Sequence, residues 1–210
     1  MTAVDGPVLS IYYDFASPFS YIARTVAKRL AAGRDVKVAW LPFEVIDYLP
    51  PSGAMPQNPA FVRRNEARRA LQLAEQYGLV LHLRDRLLNS NLALCAVEHA
   101  RLTTGDPDAA DRLHGTLFDA FYRDERDIGD IEVVLKLAEE ADTGEGLEEV
   151  LRSGVHRERV AASRAGAEAL GVVAVPTWLC NGSGIVGIVD FAEYFRLIEV
   201  RAGQLTVTRA

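Results

Sequence analysis

The stretch VLSIYYDFASPFSYIARTVAKRLAA, residues 8–32, contains the local signals that decide the fold of this chain. Its first six residues, Val8 to Tyr13, are apolar and rich in β-formers, which is typical of a buried strand. Ser17 followed by Pro18 is a strong helix start, because serine caps free N–H groups and proline fits the first helical position. The stretch therefore predicts a strand and then a helix from Phe19 to Ala32.

The residues further along the chain extend this stretch into a strand–helix–strand unit. Val36 to Leu41 alternates in a way that predicts a second strand, and such a βαβ unit favours a parallel strand pair. Strand signals return only near the C-terminus, at Val175 to Asn181 and at Gly184 to Ile188, with a turn signal at Asn181-Gly182 between them. A last helix is expected from Asp190 to Arg201.

The middle of the chain predicts helices only, after a Pro-, Ser- and Gly-rich loop at residues 50–59. The expected helices are Phe61 to Tyr77, Asn91 to Leu102, Asp106 to Tyr122, Asp130 to Ala141, Gly146 to Arg152 and Val155 to Leu170. The order βαβ, helices, ββα predicts an α/β chain of the α+β type, a sheet core with an all-helical insertion. We expect residues 1–43 and 155–210 to form the sheet domain and residues 44–154 the insertion domain.

Composition excludes several classes of protein. The net charge is −6, which argues against a nucleic-acid partner, and no apolar run approaches the length of a membrane span. The first residues lack the basic and apolar regions of a secretory signal. The two cysteines, Cys95 and Cys180, form no CxxC motif, so a disulfide-framed secreted fold is excluded and a cytoplasmic location is expected.

The first candidate site is the strand-to-helix junction around Ser17. Free N–H groups and a partial positive charge at a helix N-terminus stabilise an anion, and a thiolate qualifies as well as a phosphate does. The Ser17 hydroxyl is a hydrogen-bond donor for such a thiolate. The alternative is that Ser17 only caps the helix, which is the commonest role of serine in this position.

The second candidate site is Ala174-Val175-Pro176-Thr177, at the start of the first late strand. Proline is tolerated at the first residue of a strand. On local sequence alone the Val175–Pro176 bond is expected to be trans, because only about 5% of X–Pro bonds are cis. A cis bond here would be a specific feature.

Together these segments resemble the thioredoxin superfamily, in particular its DsbA-like branch, which carries a helical insertion. Ser17-Pro18-Phe19-Ser20 lies where redox members have Cys-x-x-Cys, and DFASPFSY is similar to the motif of 2-hydroxychromene-2-carboxylate isomerases and kappa-class glutathione transferases. Within the insertion, similarity extends to Phe61, Asn65 and Arg68 and to Tyr77-Gly78-Leu79. The resemblance implies a thioredoxin-like fold over about residues 7 to 200.

The resemblance also implies a function. In that family the serine at the Ser17 position faces the sulfur of bound glutathione, and the residue before a cis-proline, here Val175 before Pro176, pairs its backbone with the tripeptide. The isomerases add the thiolate to a conjugated, aromatic small molecule, allow bond rotation and then eliminate it. The family's Gly-x-Asp-Arg segment, whose aspartate helps to hold the γ-glutamyl amine, is altered here. Asp190 comes one residue late and no arginine follows, so Asp190 is either a ligand of glutathione or a helix cap.

Several further expectations accompany this resemblance. The aromatic residues expected to line an apolar substrate pocket are Phe15, Phe19, Tyr21 and Trp178. The cofactor is glutathione or another low-molecular-weight thiol, and a homodimer is expected because family members are often dimers. Two alternatives stay open, a DsbA-like disulfide oxidoreductase homologue that has lost its CxxC motif and a non-catalytic binding relative.

Overall fold

The computed structural model describes residues 7–47, 49–50, 52–57, 60–106, 108–199 and 207–209, with backbone alone at residues 61, 62 and 207–209. Several sequence expectations fall elsewhere. Pro107 at the expected start of a helix, Arg201 at the expected end of the last helix and the first six residues of the sheet domain lie outside the described residues, as does the side chain of Phe61.

The described elements follow the predicted order. The strands are β1 (Val8–Tyr13), β2 (Lys37–Pro42), β3 (Thr177–Cys180), β4 (Ser183–Val186) and β5 (Val207–Arg209). The helices are α1 (Pro18–Ala31), α2 (Ala60–Tyr77), α3 (Asn91–Thr103), α4 (Ala109–Tyr122), α5 (Ile131–Glu140), α6 (Leu147–Ser153), α7 (Arg157–Ala169) and α8 (Phe191–Glu199). The strand β5, of three residues, was not predicted from the sequence.

The strands form one mixed sheet in the order β2-β1-β3-β4-β5. β1 and β2 are parallel, as the βαβ unit predicts, whereas β3 is antiparallel to both β1 and β4. β5 adds a parallel edge strand beside β4. The βαβ and ββα units thus share one sheet through the β1–β3 pair, which confirms the predicted α+β fold class.

Local signals explain how two of the turns around the sheet form. The Ser17 hydroxyl oxygen accepts a hydrogen bond from Ser20 N–H at 3.3 Å, which caps α1, and Pro18 occupies its first position. The β3–β4 hairpin turns at Asn181 and Gly182, which have φ angles of 51° and 83°. Positive φ at both central residues is what a two-residue hairpin of this kind requires, and Asn-Gly is the pair that tolerates it best.

The hydrophobic core runs continuously from the sheet into the helical insertion. Leu9, Ile11 and Trp178 on the sheet belong to the same cluster of buried residues as Leu94 of α3 and Leu113 of α4. On the opposite face of the sheet, a smaller cluster brings together buried side chains of β1, the segment after β2, α7 and the segment after α7, namely Tyr12, Phe43, Ala167 and Val172. The boundaries proposed at residues 43/44 and 154/155 stay a prediction.

Helix α7 contacts both β2 and α3, so it joins the sheet to the insertion. No helix in the described part of the chain has both the length and the apolar character that a membrane crossing requires.

Candidate functional site

The two candidate segments, 158 residues apart in sequence, meet at the N-terminus of α1. The Ser17 hydroxyl lies 3.5 Å from the carbonyl oxygen of Val175 and is oriented to donate to it. The Val175–Pro176 peptide bond is cis, and Pro176 accepts a hydrogen bond from Gly187 N–H through its carbonyl oxygen at 2.8 Å. The Ser17 loop, residues 15–17, and the proline segment, residues 174–177, therefore form one surface at the end of the sheet.

The cis bond corrects the expectation of a trans proline drawn from local sequence. Neighbouring residues alone carry little information about the isomer, because tertiary contacts select one isomer in a folded chain. The resemblance to the glutathione-dependent family predicted the cis form, and the structure has it.

The start of α1 presents hydrogen-bond donors. The first turn contains no Asp or Glu, and the N–H of Phe19 has no hydrogen-bond partner among the residues that the structure describes. The half-buried Ser17 side chain adds a hydroxyl beside this free N–H. Together with the positive end of the helix dipole, these groups can stabilise a thiolate.

Asp14 precedes this loop and is 1% exposed. Its carboxylate accepts hydrogen bonds from Ala16 N–H at 3.0 Å and from Val45 N–H at 2.7 Å, and it also hydrogen-bonds the Ser90 side chain. Burial raises the pKa of Asp14 above its ordinary value, while these three hydrogen bonds act in the opposite direction.

A second buried carboxyl lies on the segment after β2. Glu44 accepts a hydrogen bond from the Asn91 side chain at 2.9 Å, and burial raises the pKa of Glu44, with the negative charge of Asp14 adding to the effect. The Cys95 thiol lies 3.6 Å from the Asn91 side-chain oxygen. Because Asn91 begins α3, this polar group connects the insertion to the loops beside Ser17.

Three of the four aromatic residues expected to line a substrate pocket are buried in the core. Phe15 and Trp178 are both 0% exposed, and the Trp178 indole donates to Gly187 O at 2.8 Å. Tyr21 faces α4, where its hydroxyl hydrogen-bonds Asp119 at 3.1 Å and its ring stacks on Tyr122. The expectation that these three rings form an accessible apolar pocket does not hold in this conformation, because each is covered by core side chains.

Phe19 is the accessible member of that set. It is half-buried, and the guanidinium of Arg69 from α2 lies 5.9 Å from its ring centroid. A cation therefore flanks the aromatic side chain two residues from Ser17. Neither Arg68 nor Arg69 forms an ion pair with a carboxylate of the described residues.

Asp190 lies immediately before α8 and is exposed. Its main-chain carbonyl oxygen accepts a hydrogen bond from Glu193 N–H at 3.0 Å. The Asp190 charge contributes to raising the pKa of Tyr77 on α2, after burial of that phenol. The structure thus places Asp190 near α2, and its role as a ligand of a γ-glutamyl amine stays a prediction.

Two surface cavities lie away from the Ser17–Pro176 surface. One of about 350 Å³ is lined by residues of α1, α4 and the end of α5, including Arg24, Thr116 and Glu140. The other, of about 400 Å³, lies between residues 52–53 and 83–89. Among the described residues, no three His, Cys, Asp or Glu side chains cluster as the ligands of a metal would.

No individual role of Asp14, Glu44 or Asn91 was predicted from the sequence. For Asp14 a signal was present, because an aspartate two residues before a turn N–H commonly accepts a hydrogen bond from it. For Glu44 and Asn91 no local signal exists, since their contact depends on how the insertion packs against the sheet.

Comparison with known proteins agrees with this fold. The model of one family, the DSBA-like thioredoxin domain, matches residues 8–198. A curated relative, the uncharacterised protein YwbO of Bacillus subtilis (strain 168), is 25% identical over 185 residues, covering 85% of this chain and 89% of YwbO.

Solved structures share the fold at low identity. The probable DsbA oxidoreductase SCO1869 from Streptomyces coelicolor has a TM-score of 0.76 at 23% identity, covering 91% of this chain and 88% of its own. A 2-hydroxychromene-2-carboxylate isomerase has a TM-score of 0.70 at 20% identity, and the match covers 86% of this chain and 88% of the isomerase. The cytosolic disulfide reductase DsbM from Pseudomonas aeruginosa, in a structure with GSH, has 0.61 at 21% identity, covering 91% and 93%.

Proposed function

Because this chain belongs to the family of DSBA-like thioredoxin domains, we propose that it is a thiol-dependent isomerase or transferase that uses glutathione or a related small thiol. Its substrate is a small conjugated, aromatic compound, as for 2-hydroxychromene-2-carboxylate isomerases. The observation that carries the proposal is the Ser17 hydroxyl placed 3.5 Å from the Val175 carbonyl oxygen, beside the free N–H of Phe19.

These groups have complementary tasks toward a bound thiol. The Val175 backbone, half-buried before the cis-proline, pairs with the cysteinyl backbone of glutathione as an added strand would. A cysteinyl N–H that donates to Val175 O replaces the Ser17 hydroxyl there. Ser17 is then released to donate to the thiolate, and the α1 N-terminus stabilises its negative charge.

The reaction needs a nucleophile that the chain itself does not provide. Among the described residues Ser17 has no histidine or lysine partner to remove its proton, so it acts as a hydrogen-bond donor. The bound thiolate adds to the β-carbon of the conjugated system, the former double bond rotates, and elimination of the same thiolate restores the double bond. No net oxidation occurs, and the thiol is regenerated.

The comparisons support this proposal in two ways. One structural neighbour is itself a 2-hydroxychromene-2-carboxylate isomerase, and another neighbour, DsbM, has a structure with GSH. DsbM is described as cytosolic, which fits our proposal that this protein works in the cytoplasm. A homodimer remains part of the proposal, to be tested by the mass in solution.

Dithiol exchange is the alternative that the chemistry disfavours. A hydroxyl cannot form the mixed disulfide through which thiol–disulfide exchange proceeds, and both Ser17 and Ser20 carry hydroxyls. A measurable rate of insulin reduction by the purified protein would favour the oxidoreductase over the isomerase.

Thermal unfolding with added glutathione and S-methylglutathione tests the proposal. A ligand at about 100 times its Kd adds about 2.7 kcal/mol, which raises the Tm by several degrees for a chain of this size. We expect a rise with glutathione, a smaller one with S-methylglutathione because its sulfur cannot ionise, and a smaller rise with glutathione in Ser17→Ala.

Ser153→Ala is the matched control, because the exposed Ser153 hydroxyl also donates to a main-chain carbonyl, that of Val150, far along the chain from the site. Each variant is compared with its own ligand-free protein, since Ser17→Ala also removes a helix cap worth about 1 kcal/mol. If no small thiol raises the Tm of the wild-type protein, thiol-dependent catalysis is excluded and the non-catalytic binding relative is favoured.

A further inference from the structure

Asp14 contacts the Ser17 loop through both its main chain and its side chain. Its carbonyl oxygen accepts a hydrogen bond from Ser17 N–H at 3.1 Å, and its N–H lies 3.5 Å from the Ser20 hydroxyl. Its carboxylate accepts the Ala16 N–H, so the three residues between β1 and the α1 cap are closed into one turn. The orientation of Ser17 therefore depends on Asp14.

The same carboxylate reaches two other parts of the fold. Its second oxygen accepts the Val45 N–H at 2.7 Å, on the segment that follows β2, and the Ser90 side chain immediately before α3 also hydrogen-bonds it. One buried side chain thus ties the Ser17 loop to the chain after β2 and to the start of α3 in the insertion. Two of these partners are main-chain N–H groups, which only an acceptor can satisfy.

We propose that Asp14 is the positioning residue of the thiol site, whose carboxylate holds the Ser17 hydroxyl and the free Phe19 N–H in register with Val175. The effect of Asp14 on a bound thiol rests on the proposed function. The attachment of the Ser17 loop to the insertion by Asp14 is independent of that function. Asp14 is covered by protein and acts through Ser17, so it does not touch the thiol itself.

Asp14→Asn tests this assignment with almost no change in volume. The amide of asparagine has only one acceptor oxygen. If that oxygen accepts the Ala16 N–H, the NH₂ group faces the Val45 N–H, and the second hydrogen bond is replaced by a contact between two donors. We expect the loop to shift and the bound thiolate to lose stabilisation. The readout is the ultraviolet absorbance of the thiolate of bound glutathione, titrated with pH at saturating thiol.

In Asp14→Asn the apparent pKa of bound glutathione should rise by about one unit, a tenfold smaller thiolate-to-thiol ratio at a given pH, because the loss of the ordered Ser17 and Phe19 donors outweighs the loss of the repulsive Asp14 charge. Asp130→Asn is the matched control, because the Asp130 carboxylate likewise accepts a main-chain N–H, that of Glu132 at 2.9 Å, at the start of α5. It should leave the titration unchanged. An Asp14→Asn titration that coincides with the wild-type curve would overturn the assignment.

Ser90→Ala is the second variant, for use if Asp14→Asn does not fold. It removes one of the carboxylate's partners and should move the titration in the same direction by less. Amide hydrogen exchange of the ligand-free proteins separates this inference from the proposed function. Should the wild type bind no thiol, the proposed function fails. Faster exchange at Ser17 and Ser20 in the variants would still support the positioning role, and unchanged exchange would refute it.

Discussion

His114 is a fully buried histidine whose two ring nitrogens have no hydrogen-bond partner among the described residues. Its ring packs among aromatic side chains, with ring centroids 4.4 Å from Tyr13 and 4.5 Å from Trp40. Burial lowers the pKa of His114 well below its ordinary value, and the positive charges of Arg24 and Lys28 lower it further. The residue is therefore neutral in the folded protein near pH 7, and its polar atoms are unsatisfied.

Replacement of His114 by leucine should stabilise the protein by about 1 kcal/mol, because it removes buried polar atoms without partners. The dependence on pH should change as well. Below about pH 6.5 the unfolded chain takes up a proton on this histidine and the folded protein does not, so wild-type stability decreases as pH falls.

Urea unfolding at pH 7 and pH 5 measures both effects. His82→Leu is the control, since His82 is exposed and should gain nothing from the change. A His114→Leu variant that is less stable than wild type at both values would show that the ring nitrogens have partners in solution.

At the scale of elements, helix α2 places a cation beside the candidate site. The Arg69 guanidinium lies over the Phe19 ring and carries a positive charge, whereas the chain as a whole has a net negative charge. The two carboxylates of glutathione, or a carboxylate on the substrate, would be attracted to it.

Arg69→Ala should weaken glutathione binding about two- to fivefold, the range expected for an exposed charge pair, and the loss should shrink with added salt. Arg68→Ala is the matched control on the same helix, because Arg68 is equally exposed and has no contact with Phe19 among the described residues. Equal effects of the two variants on Kd, measured by calorimetry, would indicate a general attraction by the helix and no specific contact.

At the scale of the whole molecule, both thiols are sequestered. Cys95 and Cys180 are free and buried, and burial raises the pKa of Cys95 to about 12. A thiol reagent should therefore react with neither cysteine in the folded protein and with both after unfolding in guanidinium. Ser153→Cys supplies an exposed thiol as the positive control. Rapid reaction of a native cysteine would reopen the question of a redox role.

Much of this architecture follows from local sequence. The cap formed by Ser17-Pro18 and the turn at Asn181-Gly182 depend only on adjacent residues, so α1 and the β3–β4 hairpin were predicted close to their observed ends. The burial of Phe15 and Trp178 was not predicted, because strand alternation does not reveal which side chains the helices cover. The short β5 strand was not predicted because it forms only by pairing with β4, which lies earlier in the chain on the other side of α8.

The groups that surround the Ser17 side chain belong largely to the main chain: the N–H of Ser20, the N–H of Phe19 and the carbonyl of Val175. Main-chain groups remain whatever side chain stands at residue 17, so this setting does not require oxygen. A sulfur atom in its place would meet the same donors and the same helix end. In evolutionary terms, two oxygen-to-sulfur exchanges, at Ser17 and Ser20, would convert a surface that binds a separate small thiol into one with two cysteine thiols of the chain. The backbone need not change for this conversion.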